Sequence, residues 1–258
     1  MKLLACVKQI LDFEAAVPRD TRAHAITPGG TTPTKVNPFD LFAVEECLRL
    51  KDTIPATTVD VVSVGPNRAA DALRKALGMG ADRGIHISTT GEAEPSPFTV
   101  ACRIASYARK ASYDLIVTGM MTEDGMHAQV GPIIAEMLSR PCAIAAVVLD
   151  PSIEKKRVYV EKEVEGGMRI EAELELPAVV AVQIGVGKPR YPSLSNILRA
   201  KNQELEIVDA GSFEQPAPRD VVLRLHPPRK SRSGTILQGT GEQKAVELLN
   251  FLRGKALL

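Results

Sequence analysis

The chain has 258 residues, 45% of them apolar, with 32 basic and 31 acidic side chains and a net charge of +1. That length buries a substantial core and excludes a disordered chain, and the balanced charge excludes a global field for nucleic acid or an acidic membrane surface. The first apolar stretch, Leu3 to Val7, is followed at once by Lys8, and no run approaches the roughly 20 apolar residues of a membrane helix, so a cytoplasmic protein without membrane insertion is expected.

In chain order, short apolar or β-branched runs alternate with helical patterns through the first 150 residues. Strands are predicted at 3–7, 58–64, 84–88 and 114–119. The first helix has Asn37 as N-cap, Pro38 at its first position and Asp40 in its first turn. Further helices are predicted at about 67–78 and 97–110, and a fourth follows the turn after Gly119 and closes at Pro141. This order predicts parallel strands joined by right-handed helical crossovers.

From Ala143 the pattern predicts antiparallel pairing. Residues 157–177 form a hairpin with Glu165, Gly166 and Gly167 at its turn, where Ile170, Ala172, Leu174 and Leu176 alternate with charged residues, giving one buried face and one wet face. Another strand is expected at 178–184, followed by "GVGKPRYPSLSNILRAK" (185–201). After about Ala210 the composition turns to Pro, Gly and charge before a last amphipathic helix at roughly 241–253. Two parts are therefore expected: an α/β domain at 1–209 and an extended C-terminal arm at 210–258.

The four cysteines (Cys6, Cys47, Cys102, Cys142) form no C-x-x-C and lie in apolar segments, so buried reduced thiols are expected. The four histidines are equally scattered, and no metal site is predicted. No G-x-G-x-x-G follows the first strand, and "GVGKP" lacks the P-loop pattern because Pro189 stops the helix that a P-loop needs. No nucleophile has a visible base, so no catalytic residue is assigned.

Open α/β sheets bind ligands beyond the carboxyl ends of their strands. Three segments belong there: "CVKQILDF", "VGPNR" and "GMMTEDGMHAQVG". In the last, the backbone N–H groups of Ala128, Gln129, Val130 and Gly131 open a helix and offer a phosphate site that needs no Lys or Arg. Asp124 either accepts a bond from a ribose hydroxyl or caps that helix. The alternative is that Asp124 and Gly125 only shape a loop.

Seven blocks in order resemble the beta subunits of electron transfer flavoproteins: "VKQILDF", "VNPFDLFAVEECLRLKD", "ALGMGADRGIHI", the turn "EDGMHAQVGPIIAEML", "VEKEVEGG", "LPAVVAV" and "PRYPSLSNILRAK". Arg169 and Ile170 depart from the family pattern, which has a Glu or Gln there. The resemblance implies a parallel Rossmann-like sheet related to the adenine nucleotide alpha-hydrolase group. It implies a heterodimer with an alpha subunit that holds most of an FAD, taking electrons from acyl-CoA or related dehydrogenases and passing them to a membrane-linked oxidoreductase. It also implies a bound AMP, contacted by Cys6, Asn37 and Val64 around the adenosine and by Asp124, Ala128, Gln129 and Val130 on ribose and phosphate.

Three further positions follow from the resemblance. Phe13 would lie beside the partner's flavin, its alternative being a place in this chain's own core. Leu194 would anchor a loop that docks dehydrogenases, its alternative being a staple onto Ile197 or Leu198. Glu163 would pair with an alpha-subunit arginine, its alternative being a solvated strand charge.

The C-terminal arm would pack on the alpha subunit. Members that bifurcate electrons carry a second FAD in place of AMP, with Asp and Thr where this chain has Met126 and His127; AMP is the expected guest here and a second FAD the alternative. Readings from other classes are an adenylate-forming enzyme and a stand-alone adenine-nucleotide-binding module. The first usually needs a Ser/Gly-rich loop where this chain reads "KQILDF".

Overall fold

The computed structural model describes residues 1–12, 33–89, 95–185, 187–214, 217, 219 and 234–257. These fall into two compact units, one containing the described residues up to 219 and the other those from 234 onward.

The first unit begins with strand β1 (Lys2–Cys6), followed by a short ribbon of β2 (Gln9–Leu11) and β3 (Thr34–Val36). Helix α1 (Pro38–Thr53) leads to β4 (Thr58–Gly65), α2 (Ala70–Met79) and β5 (Arg83–Ser88). Next come α3 (Pro97–Ala111), β6 (Leu115–Gly119), α4 (Val130–Met137) and β7 (Cys142–Ser152). The hairpin β8 (Arg157–Glu163) and β9 (Arg169–Glu175), then β10 (Ala178–Val182), α5 (Leu194–Asn202) and β11 (Glu206–Asp209), complete it.

Proline decides two helix starts. Pro38 and Pro97 occupy the opening positions of α1 and α3, where a missing N–H costs no intrahelical bond and φ is already helical. Ser96 completes the start of α3 by accepting a bond from the Thr99 N–H at 3.3 Å.

Nine strands form one sheet in the order β11-β5-β4-β1-β6-β10-β7-β8-β9. All pairs from β11 to β7 are parallel, and only β8 and β9 run antiparallel. The switch predicted at Ala143 therefore comes one strand later, because β7 lies parallel to β10 before it turns into the hairpin.

The central strands are buried on both faces, as their unbroken apolar runs require. Leu3 and Ala5 of β1 join Val44, Leu48, Leu73 and Leu77 of α1 and α2 on one side. Leu4 and Cys6 join Ile104 and Tyr107 of α3 and Ile134 of α4 on the other. This is an α/β fold with a large, mostly parallel sheet between helical layers and a small antiparallel ribbon beside it.

At the far edge β9 has no buried residue, and Ile170 is 49% exposed. The face expected to be buried is only half covered: Ala172 and Leu174 are half-buried and Ile170 is exposed on this edge strand. Cys142 is exposed at the start of β7, whereas Cys6, Cys47 and Cys102 are buried as expected.

The second unit carries α6 (Gly241–Gly254), opened by a capping box in which Thr240 and Gln243 bond each other's backbone N–H. No residue of α6 is buried, and Val246, Leu248, Leu249 and Phe251 are exposed.

Candidate functional site

Strand β1 lies between β4 and β6, so the chain builds outward from it in both directions and the strand order reverses there. Ligands of such sheets sit outside the carboxyl ends of the strands at that point. Here those ends are Cys6, Gly65 and Gly119.

Asn37 is fully buried at this edge. It holds the N-cap position of α1, but its side chain makes no capping bond. Instead its Nδ2 donates to the Met121 carbonyl at 2.9 Å, and its Oδ1 accepts from the Glu123 N–H at 3.2 Å. The residue predicted as a cap thus shapes the loop after β6.

Asp40 ties the same loops from below. Its Oδ2 accepts the Lys8 N–H at 2.8 Å, and a methyl group on Gly119 would meet its carboxylate and come within 2.7 Å of Phe39 Cβ. Only a residue without a side chain lets β6 pass so close to α1. Burial pushes the Asp40 carboxyl up from 3.8 to about 7, against the lowering effect of the Asn37 side chain, the Lys8 N–H and charge, and the Gly119 N–H.

The folded state therefore holds this proton more tightly than the unfolded chain, and stability is lost as pH rises from about 4 through about 7. Over that window the wild type is expected to lose up to about 1.4 kcal/mol per pH unit relative to Asp40→Asn, measured by denaturant unfolding. A constant difference between the two proteins would mean that Asp40 is ionised throughout.

The turn between β6 and α4 carries two ion pairs to the region after β1. Lys8 Nζ donates to Asp124 Oδ2 at 2.6 Å, and Lys35 Nζ of β3 lies 3.0 Å from a Glu123 carboxylate oxygen. Burial raises the Asp124 carboxyl, but the Lys8 charge and hydrogen bond, the Thr122 side chain and the Gly125 N–H outweigh it and hold the carboxyl below its usual range. Asp124 Oδ1 is nevertheless buried without a hydrogen-bond partner of normal geometry.

Helix α4 opens at Val130 with no side-chain cap, so Asp124 does not cap it. Ala128 and Gln129 are exposed at its entrance, and Ala128 has φ +53°. The N–H groups of a first helical turn lack intrahelical partners, and they make the positive end of its dipole. Gly131 sits tightly against β6, since a methyl there would come within 2.9 Å of Thr118 Oγ1, itself buried without a partner.

Lys8, which the sequence reading did not place at this turn, reaches its edge through Asp124. The pairing joins residues 116 positions apart, so only the adjacency of β1 and β6 reveals it. The available signal was a lysine placed directly after the first strand.

Cys6 and Val64 project toward the α3 and α4 side of the sheet, Cys6 buried and Val64 half-buried. Burial, then the nearby Asp40 charge, pushes the Cys6 thiol far up, so it stays protonated and behaves as a small apolar wall.

Other predicted residues stand apart from this edge. Leu194 opens α5 and is 73% exposed, beside exposed Tyr191 and Leu198. Ser193 caps that helix by accepting the Asn196 N–H at 3.3 Å. The preceding segment is fixed by Arg190, whose Nη2 donates to Glu45 at 2.9 Å and to Asp52 at 2.8 Å, both on α1.

Glu163 is exposed at the end of β8, in register with Arg169, which bonds Glu161 instead at 2.8 Å. Phe13 lies outside the described residues. Among the described residues no group of three or more His, Cys, Asp or Glu side chains is placed to hold a metal ion, and no helix is long and apolar enough to cross a membrane.

A reversed strand order with an uncapped helix start at its carboxyl edge defines an open α/β fold with a mostly parallel sheet. The model of the electron transfer flavoprotein domain matches residues 30–212. The chain is 34% identical over 236 residues to the electron transfer flavoprotein subunit beta of Mus musculus, covering 90% of this chain and 91% of that protein. It is 34% identical over 226 residues to the subunit beta of Bacillus subtilis, covering 86% of each. To the mitochondrial subunit beta of Arabidopsis thaliana it is 34% identical over 248 residues, covering 94% and 95%. The chain belongs to the electron transfer flavoprotein family, among its beta subunits.

Proposed function

We propose that this chain pairs with an electron transfer flavoprotein alpha subunit and holds an adenine nucleotide, AMP, at the turn between β6 and α4. The heterodimer takes electrons from acyl-CoA or related dehydrogenases and delivers them to a membrane-linked oxidoreductase. An FAD held mainly by the alpha subunit supplies the redox chemistry when bound. This chain's residues bind, orient and exclude water, and no side chain of it is assigned catalysis. A cytoplasmic location belongs to the same reading.

The observation that carries the nucleotide assignment is the uncapped start of α4 beside Asp124, whose buried Oδ1 has no hydrogen bond of normal geometry. A phosphate suits the N–H groups of Ala128, Gln129, Val130 and Gly131, and a ribose hydroxyl suits Asp124. Cys6 and Val64 offer an apolar wall to the base, while Asn37 holds the loop in place.

The remaining assignments follow the family. Leu194 docks dehydrogenases, in keeping with its exposure. Glu163 meets an alpha-subunit arginine, and Phe13 packs beside the flavin. Residues from about 210 form an arm on the alpha subunit, supported by the uncovered Val246, Leu249 and Phe251 of α6.

Denaturing the purified heterodimer is expected to release about one AMP per copy of this chain, read by chromatography, besides the alpha subunit's FAD. Two FAD and no AMP would give the turn to a second flavin. Release of no nucleotide beyond one FAD would end the assignment.

A further inference from the structure

We infer that Lys8 is a positioning residue for nucleotide selection: it fixes Asp124 so that Oδ1 takes a ribose hydroxyl, and the site thereby prefers ribonucleotides to their deoxy forms. This rests on the reading that the turn holds an adenine nucleotide.

The geometry runs from a rigid root to a committed carboxylate. Both backbone groups of Lys8 are bound at the end of β1: its N–H donates to Asp40 Oδ2 at 2.8 Å, and its carbonyl accepts from the Asn37 N–H at 2.9 Å. Its side chain then spans to the next strand's loop and donates to Asp124 Oδ2 at 2.6 Å. The backbone on the other side of Asp124 is pinned too, since the Glu123 N–H is held by Asn37 Oδ1. One carboxylate oxygen is thus taken, and the other is buried near Thr122 and the Gly125 N–H without a hydrogen bond of normal geometry.

A buried acceptor of this kind is stabilised by an arriving donor and penalised by an arriving acceptor. Phosphate cannot fill that role, but a hydroxyl can. The helix start beside it supplies donors for phosphate. A ligand satisfying both carries a phosphate and a hydroxyl a few bonds away, as a ribonucleotide does. Without Lys8 the carboxylate loses both its counter-charge and the bond that fixes its rotamer, so the hydroxyl is no longer distinguished from a hydrogen atom.

The test is calorimetric titration of the heterodimer, stripped of nucleotide, with AMP, 2′-deoxyAMP and 3′-deoxyAMP. The wild type is expected to bind at least one deoxy analogue about tenfold or more weakly than AMP. Lys8→Met and Lys8→Gln should lose that preference, and Lys8→Arg should restore it. Equal binding of all three by the wild type overturns the inference while leaving the nucleotide site standing, and needs no variant. A preference that survives in either uncharged variant also overturns it. Absence of AMP binding by the wild type overturns the nucleotide reading and this inference with it.

Discussion

Gly119→Ala is expected to lower the melting temperature by roughly 2–12 °C and to empty the nucleotide site. The added methyl would stand 2.7 Å from Phe39 Cβ and 2.8 Å from the Phe39 carbonyl carbon, against backbone that cannot rotate away. Overpacking of this kind costs about 1–3 kcal/mol, and each kcal/mol shifts the midpoint of a protein this size by about 2–4 °C. The methyl also meets Asp40, which holds the Lys8 N–H, so the loops after β1 and β6 separate. Thermal melting together with nucleotide content checks both effects. An unchanged melting temperature with nucleotide retained would show that α1 and β6 can part without consequence.

Leu194→Ala is expected to leave the heterodimer's melting temperature and flavin content nearly intact while weakening dehydrogenase binding about thirtyfold. An exposed side chain contributes little to the core, whereas an apolar anchor buried on docking can cost about 2 kcal/mol when truncated. Steady-state electron transfer at varied flavoprotein concentration separates the cases, because lost docking raises the concentration needed for half-maximal rate. A large fall in stability with unchanged dehydrogenase affinity would return Leu194 to the chain's own packing.

The elements written most plainly in the sequence were those with a physical stop or start. Pro38 and Pro97 set the first residues of α1 and α3 because proline fits few other helical positions. The alternating apolar runs gave β1, β4, β5 and β6 for the same reason: strands buried on both faces leave little room for polar residues.

Harder to read were β3 and β11, "TKV" and "EIVD", which are three and four residues long. Each is held by its neighbour's hydrogen bonds, and such short runs have no period of their own. At the site, Asp124 and the opening of α4 were legible from a turn joining a strand to a helix. Lys8 and Asp40 were not, because their partners are 116 and 32 residues away and meet them only through the sheet order.

The clamp of Arg190 on Glu45 and Asp52 ties the segment before α5 to the helix that also carries Asp40. Its first turn supplies Asp40 to the floor beneath the turn at β6, while Glu45 at its middle and Asp52 in its last turn hold the segment that leads to the exposed leucine at α5. Sixteen helical residues set a length of about 24 Å. The rod is unbroken and buried along one side. On the proposed reading, this helix sets the spacing between the nucleotide edge and the docking face like marks on a ruler.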